Sequence, residues 1–179
     1  MPLIYLIGYR ACGKSTVGSM LARSLDSAFY DLDACLCQRQ GKSVAEIVSE
    51  SGWEAFRRLE TETLRAVTAE APAGSVVATG GGAVIAPENR CFMRDHGLVF
   101  WLHAPEEALA GRLMANPMSE QRPSLTGRGL LEELAATMHE REAMYASCSH
   151  HKVDATLPMD TVCASIIAKI SAMDGHGKA

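Results

Sequence analysis

Residues Gly8-Tyr9-Arg10-Ala11-Cys12-Gly13-Lys14-Ser15 spell G-x-x-x-x-G-K-S. They follow the apolar run Leu3–Ile7 directly and precede a helical pattern at about 14–25. A strand feeding a glycine-rich turn feeding a helix is the setting of a P-loop. The glycines let backbone N–H groups turn inward and ring an anion. In such a loop Lys14 reaches the β- and γ-phosphates, and the Ser15 hydroxyl can ligate Mg²⁺. The first expectation is therefore a chain that binds a nucleoside triphosphate.

Strand-like and helical stretches alternate along the rest of the chain. Strands are expected at Leu3–Ile7, Ala28–Tyr30, Val76–Thr79, Leu98–Leu102 and, more weakly, Val153–Ala155. Helices are expected at about 14–25, 34–51 with a break near Gly41, 53–69, 88–95, 106–114, 129–146 and 160–173. That alternation implies βαβ units and a parallel sheet covered by helices, a three-layer α/β sandwich. Ser43-x-x-Glu46 reads as a capping box, and Pro87 and Pro105 stand where first-turn prolines are tolerated. No repeat or linker divides the 179 residues, so one domain is expected.

Composition narrows the class. The chain is 47% apolar and 21% charged, as soluble globular proteins are. A net charge of −4 with no basic arm argues against a nucleic-acid partner. No apolar run approaches the ~20 residues of a membrane span, and no signal peptide precedes the first strand, so the reading is cytoplasmic with no membrane partner. The six cysteines are scattered, which fits a reducing compartment. Cys35-x-Cys37 has no second pair at zinc spacing, and His150-His151 lies beside a predicted strand, so no transition metal is placed here. The polar stretch Ala115–Gly129 holds two prolines, two glycines, Arg122 and Arg128. A loop of that length in a compact domain reads as functional, a lid.

Five further features carry chemistry. Asp31-Leu32-Asp33 closes the second strand, and alternation in an extended strand end puts both carboxylates on one side. At the carboxyl end of a parallel strand they could hold Mg²⁺ and accept a proton from an attacking hydroxyl, or serve as a plain helix cap. In the helix at 53–69, Trp53, Phe56, Glu60, Leu64 and Val67 share one face with Arg57 on its flank. Glu54, Arg58, Glu62 and Arg65 form a solvated ladder opposite. Arg57 and Glu60 thus need partners: each other, a substrate carboxylate, or both. Gly80-Gly81-Gly82 after the third strand exposes backbone N–H groups and admits close approach of a ligand. Arg141 lies inside the apolar stripe Leu131, Leu134, Met138, Tyr145; it serves an anion, snorkels, or pairs locally with Glu142. Arg112, before the expected lid, is suited to stack on a base or touch phosphate.

Taken in order, G-x-x-x-x-G-K-S at 8–15, D-x-D at 31–33, F-R-R-x-E at 56–60, G-G-G at 80–82, R-P-x-L-x-G at 122–127 and E-R-E-x-x-Y at 140–145 resemble the shikimate kinase family over nearly the whole chain. The resemblance implies a P-loop kinase fold with a five-stranded parallel sheet in the order 2-3-1-4-5, a substrate-binding helical region at about 33–62 and a lid at about 112–128. It implies transfer of the ATP γ-phosphoryl group to the 3-hydroxyl of shikimate, in the route to chorismate and the aromatic amino acids, by a monomer.

By position, Gly8, Ala11, Cys12, Gly13, Lys14, Ser15 and Thr16 would contact the nucleotide, with Arg112 on the adenine side. Lys14, Asp33 and the lid residue Arg122 would be catalytic, Arg122 reaching across to the transferring phosphoryl group. Ser15 and Asp31 would hold Mg²⁺. Asp33, Arg57, Glu60, Gly80, Gly81, Gly82 and Arg141 would bind shikimate, the two arginines clamping its carboxylate. Three departures from the family pattern stand out. Ala11 replaces the usual P-loop glycine, which is expected to cost backbone freedom. Leu32 replaces a small hydroxyl residue, with packing changes expected. The loop Thr156–Met159 matches poorly, so no adenine contact is carried onto it. Another small-molecule P-loop kinase of gluconate type, or a nucleotide-binding regulator without catalysis, would share the P-loop but not the full set of motifs.

Overall fold

The computed structural model describes residues 1–115 and 130–175. Five strands, β1 (Leu3–Ile7), β2 (Phe29–Asp31), β3 (Val76–Ala78), β4 (Gly97–His103) and β5 (His151–Asp154), form one parallel sheet in the order β2-β3-β1-β4-β5. The order is the one the resemblance implied. Helices α1 (Lys14–Ser24), α2 (Leu32–Gln40), α3 (Val44–Glu70), α4 (Pro87–His96), α5 (Glu106–Ala115), α6 (Leu130–Cys148) and α7 (Met159–Gly175) connect and follow the strands.

The central strand β1 is buried along its whole length, and its side chains alternate between two cores. Ile4 and Leu6 point into a cluster with Val17 and Leu21 of α1, Phe100 and Leu102 of β4, and Ile166 of α7. Leu3, Tyr5 and Ile7 point into a second cluster with Leu64 and Val67 of α3, Met93 of α4, and Trp101 and Tyr145. A third, smaller cluster of Leu36, Val44, Ile47 and Phe56 ties α2 to α3.

The local signals fall where the sequence puts them. Ser43 and Glu46 form the full capping box at the start of α3. Gly41 ends α2 in the left-handed region at φ 64°, and the non-helical Gly52, at φ 77° and ψ 171°, kinks α3 at the expected helix boundary. Pro87 opens α4. The edge strand β5 runs two residues earlier than expected, because it pairs His151 with Phe100 and Asp154 with His103 along β4. Among the described residues no helix is long and apolar enough to cross a membrane.

Two expectations need correction. β2 ends at Asp31 and α2 begins at Leu32, so strand alternation does not place the D-x-D carboxylates: Asp31 is the helix N-cap and Asp33 sits in the first helical turn. The physical reason is the Asp31 side chain, whose Oδ1 accepts the N–H groups of Asp33 and Ala34 and starts the helix at once. Residues 112–115, the first part of the expected lid, are the last residues of α5. Arg122, Arg128 and the R-P-x-L-x-G motif lie outside the described residues.

Candidate active site

Strands β2, β3 and β1 are neighbours, so the segments leaving their carboxyl ends meet: Asp31, the glycine loop 80–82 and the P-loop. The P-loop turns on special backbone. Gly8 has φ 144°, and a Cβ there would lie 2.5 Å from the Leu102 carbonyl oxygen, so only glycine fits. Gly13 has φ 96° and supplies the N-cap of α1, leaving the first N–H groups of that helix without a side-chain cap. Ala11 has φ 59°, in the left-handed region that costs a residue with a Cβ roughly 1–2 kcal/mol.

The lysine of the loop is folded onto its own backbone. Lys14 Nζ donates to the Gly8 and Tyr9 carbonyls, both at 2.9 Å, and lies 3.6 Å from Cys12 Sγ. Cys12 is buried, whereas Ser15 and Thr16 are exposed in the first turn of α1. Ser15 Oγ donates to Asp31 Oδ2 at 2.5 Å, so the cap of α2 is also the partner of the P-loop hydroxyl. Asp33, two residues on in the first turn of α2, is half-buried. Arg112, on α5, donates to the Ala11 carbonyl at 3.3 Å and to the Ala155 carbonyl at 2.6 Å, spanning the P-loop and the end of β5.

On the other wall, the two adjacent arginines of α3 part company. Arg58 is 64% exposed and pairs with Glu54 across one turn in solvent. Arg57 is 20% exposed; its guanidinium lies 5.4 Å from the Trp53 ring and 5.3 Å from the Phe56 ring. It donates to Glu60, which is buried, at 2.5 Å. The same guanidinium fills the space of a side chain at Gly82: a Cβ there would lie 2.2 Å from its nitrogens. Gly81 in turn leaves 3.3 Å between its Cβ position and the Arg10 amide nitrogen, and Gly80 is buried behind it. The glycine loop is thus the shared wall between the P-loop backbone and Arg57.

Arg141 closes this wall from α6. It is 7% exposed, donates to the Gly81 carbonyl at 3.2 Å, and forms no ion pair among the described residues. Its Nε is buried and lacks a hydrogen-bond partner among those residues. Glu142, the local partner weighed from the sequence, is exposed and does not pair with it. A buried guanidinium without a carboxylate is expensive unless an anion reaches it. Arg141 is therefore a ready anion receptor beside Arg57 and Gly82.

Contacts that the sequence reading did not identify complete the site. Arg10, in the P-loop, pairs at 2.9 Å with Glu133 of α6, which is 1% exposed. Tyr145 donates to the Gly81 carbonyl at 2.6 Å. Burial pushes the Tyr9 and Tyr145 phenols up from their ordinary values, so both stay protonated. The signal available for Glu133 was its place eight residues before Arg141, on the same row of α6. Among the described residues no group of three or more His, Cys, Asp or Glu side chains is disposed to hold a metal ion.

Comparison with known proteins settles the family. Residues 10–171 match the model of the shikimate kinase family. The chain belongs to that family. It is 47% identical over 167 residues to shikimate kinase 2 of Enterobacter sp. (strain 638), an alignment covering 93% of this chain and 94% of the relative. The structure of the Acinetobacter baumannii shikimate kinase in complex with shikimate is similar at TM-score 0.84 and 29% identity, covering 99% of this chain and 95% of that one. A gluconokinase from Sinorhizobium meliloti matches at TM-score 0.60 but 16% identity, over 96% of this chain and 93% of that one, and so shares the fold alone.

Proposed function

We infer that the chain transfers the γ-phosphoryl group of ATP to the 3-hydroxyl of shikimate, giving ADP and 3-phosphoshikimate on the route to chorismate. The observation that carries this reading is Arg141: a buried guanidinium without a counter-ion among the described residues, set on the same glycine loop that Arg57 packs against and that borders the P-loop. A carboxylate is the anion that two converging arginines read best. The phosphate cradle is contiguous with it through Gly81.

The residues divide the work as follows. Gly8, Ala11, Cys12, Gly13 and Thr16 shape the cradle for the phosphates, and Lys14 exchanges its two loop carbonyls for β- and γ-phosphate oxygens. Arg112 would lie on the adenine side, and Arg122, outside the described residues, is the cation assigned by its motif to the transferring group. Arg57, held by Glu60, clamps the substrate carboxylate with Arg141, while Gly80, Gly81 and Gly82 let the ring of shikimate approach the backbone. Asp33 binds the hydroxyls and takes the proton of the attacking one. Ser15 and Asp31 fit Mg²⁺: two hard oxygen donors lie 2.5 Å apart beside the cradle, the small protein contribution that Mg²⁺ accepts when phosphates and water complete its shell. When bound there, Mg²⁺ would supply charge neutralisation at the phosphates. The expected setting is a cytoplasmic monomer with no nucleic-acid or membrane partner.

The test is release of ADP from ATP and Mg²⁺ with shikimate, quinate, gluconate or no acceptor. Release that depends on shikimate, well above the blank, is expected. Release with gluconate in its place, or ATP binding with no acceptor-dependent turnover, overturns the reading.

A further inference from the structure

Tyr145 is 3% exposed, yet its hydroxyl reaches the Gly81 carbonyl at 2.6 Å, while Arg141, four residues earlier on α6, donates to the same oxygen at 3.2 Å. The Tyr145 ring is stacked on Trp101 of β4, with centroids 5.7 Å apart and planes 21° from parallel. The ring is thereby fixed to the sheet, and the hydroxyl has one place to point. Gly81 itself is wedged against the P-loop, its Cβ position 3.3 Å from the Arg10 nitrogen and 3.5 Å from the Gly8 carbonyl oxygen. A peptide is planar, so holding the Gly81 carbonyl also fixes the direction of the Gly82 N–H.

We propose that Tyr145 is a positioning residue for the acceptor: through the Gly81 carbonyl it sets the glycine loop and leaves the remaining donors of Arg141 for the substrate carboxylate. This deepens the functional reading above and rests on it. Without the hydroxyl, the carbonyl depends on Arg141 alone, which is drawn toward the backbone and away from the anion. The phosphate cradle keeps supports of its own, Lys14 on the Gly8 and Tyr9 carbonyls and Arg10 on Glu133. The expected signature is confined to shikimate.

The conservative variant Tyr145→Phe keeps the ring, its stack on Trp101 and the filled core. The control is Tyr5→Phe, which also removes a buried tyrosine hydrogen bond, to Thr68 at 2.8 Å, between β1 and α3. Both variants should lower the melting temperature by similar amounts. Tyr145→Phe alone should raise the KM for shikimate, and its dissociation constant by calorimetry, about tenfold, the effect of losing one buried hydrogen bond. Its kcat and its KM for ATP should stay within about twofold. A shikimate KM equal to that of Tyr5→Phe makes the bond merely structural and overturns the proposal. Equal losses in kcat and in both KM values overturn it as well. Wild-type protein that neither binds nor phosphorylates shikimate overturns the functional reading itself, before either variant is compared.

Discussion

Arg57 and Lys14 both bring positive charge to the cleft, but they are held in opposite ways. Arg57 is fixed by side chains: a buried Glu60, two aromatic rings and the space opened by Gly82. Lys14 is held by the main chain, on the carbonyls of Gly8 and Tyr9, in a loop whose shape comes from positive φ at Gly8, Ala11 and Gly13. The wall proposed for the acceptor is thus preorganised chiefly by side chains, and the wall proposed for the nucleotide chiefly by backbone. A carboxylate is read by planar, directed donors, which need rigid support. A polyphosphate is read by inward N–H groups and a point charge on a flexible stem. Substitutions on the two walls should therefore separate the two substrates.

The largest effect belongs to Asp33. Asp33→Asn should lower kcat by about 10²–10⁴-fold, the usual contribution of a positioned base, while ATP binding measured by calorimetry stays near normal. Loss of ATP binding in parallel would show that the two walls are not independent. Near-normal turnover would remove Asp33 from the mechanism.

Next come the paired arginines. Arg57→Ala should raise the KM for shikimate roughly 10–100-fold, the range for losing hydrogen bonds from a charged group. It should lower the melting temperature too, because Glu60 is buried. Arg58→Ala removes only an exposed pair with Glu54 and should change neither quantity measurably. Equal effects of the two variants on the shikimate KM would break the contrast drawn from burial.

How much of this was readable in the chain follows from range. Periodicity separated Arg57 from Arg58 because burial along one helix repeats every 3.6 residues. The capping box at Ser43, the breaks at Gly41 and Gly52 and the strand order were legible for the same reason or through the family resemblance. The D-x-D motif was misplaced on the strand because a side-chain cap outweighed extension there, and Asp residues favour both settings. What stayed hidden is long-range: Arg10 on Glu133, Tyr145 on Gly81, Arg112 on Ala155, and the guanidinium that requires glycine at position 82. Each joins segments far apart in sequence, and no local pattern encodes such a meeting.

A smaller effect probes the backbone of the nucleotide wall. Ala11 adopts φ 59°, and Ala11→Gly should remove the roughly 1–2 kcal/mol cost of that conformation. The added freedom of the unfolded chain offsets about 0.4–1 kcal/mol of the gain. A net stabilisation of about 0.5–1 kcal/mol, or a rise of about 1–4 °C in the melting temperature, is expected. The KM for shikimate should not move, since Ala11 packs against the core beneath the P-loop and its carbonyl accepts from Arg112, away from the glycine loop and Arg57. A fall in melting temperature would mean that the loop carries no strain at this position.

The smallest effect lies outside both walls and gives the baseline against which they are judged. His150 Nδ1 accepts the Val99 N–H at 3.0 Å, a bond that requires the neutral ring. Burial first, then Arg94 and His151, hold its pKa below the ordinary 6.5, and His103 and His151 are shifted the same way. Near and below pH 6.5 the unfolded chain therefore binds more protons than the folded one. This part of the stability is complete above about 6.5 and is lost as the pH falls through the lowered folded values. In His150→Asn the side-chain oxygen can accept the same N–H without titrating. Urea midpoints at pH 7.5 and 5.5 should then differ less in the variant than in the wild type, with the residual difference left to His103 and His151. An unchanged difference would assign the acid sensitivity to those two histidines alone.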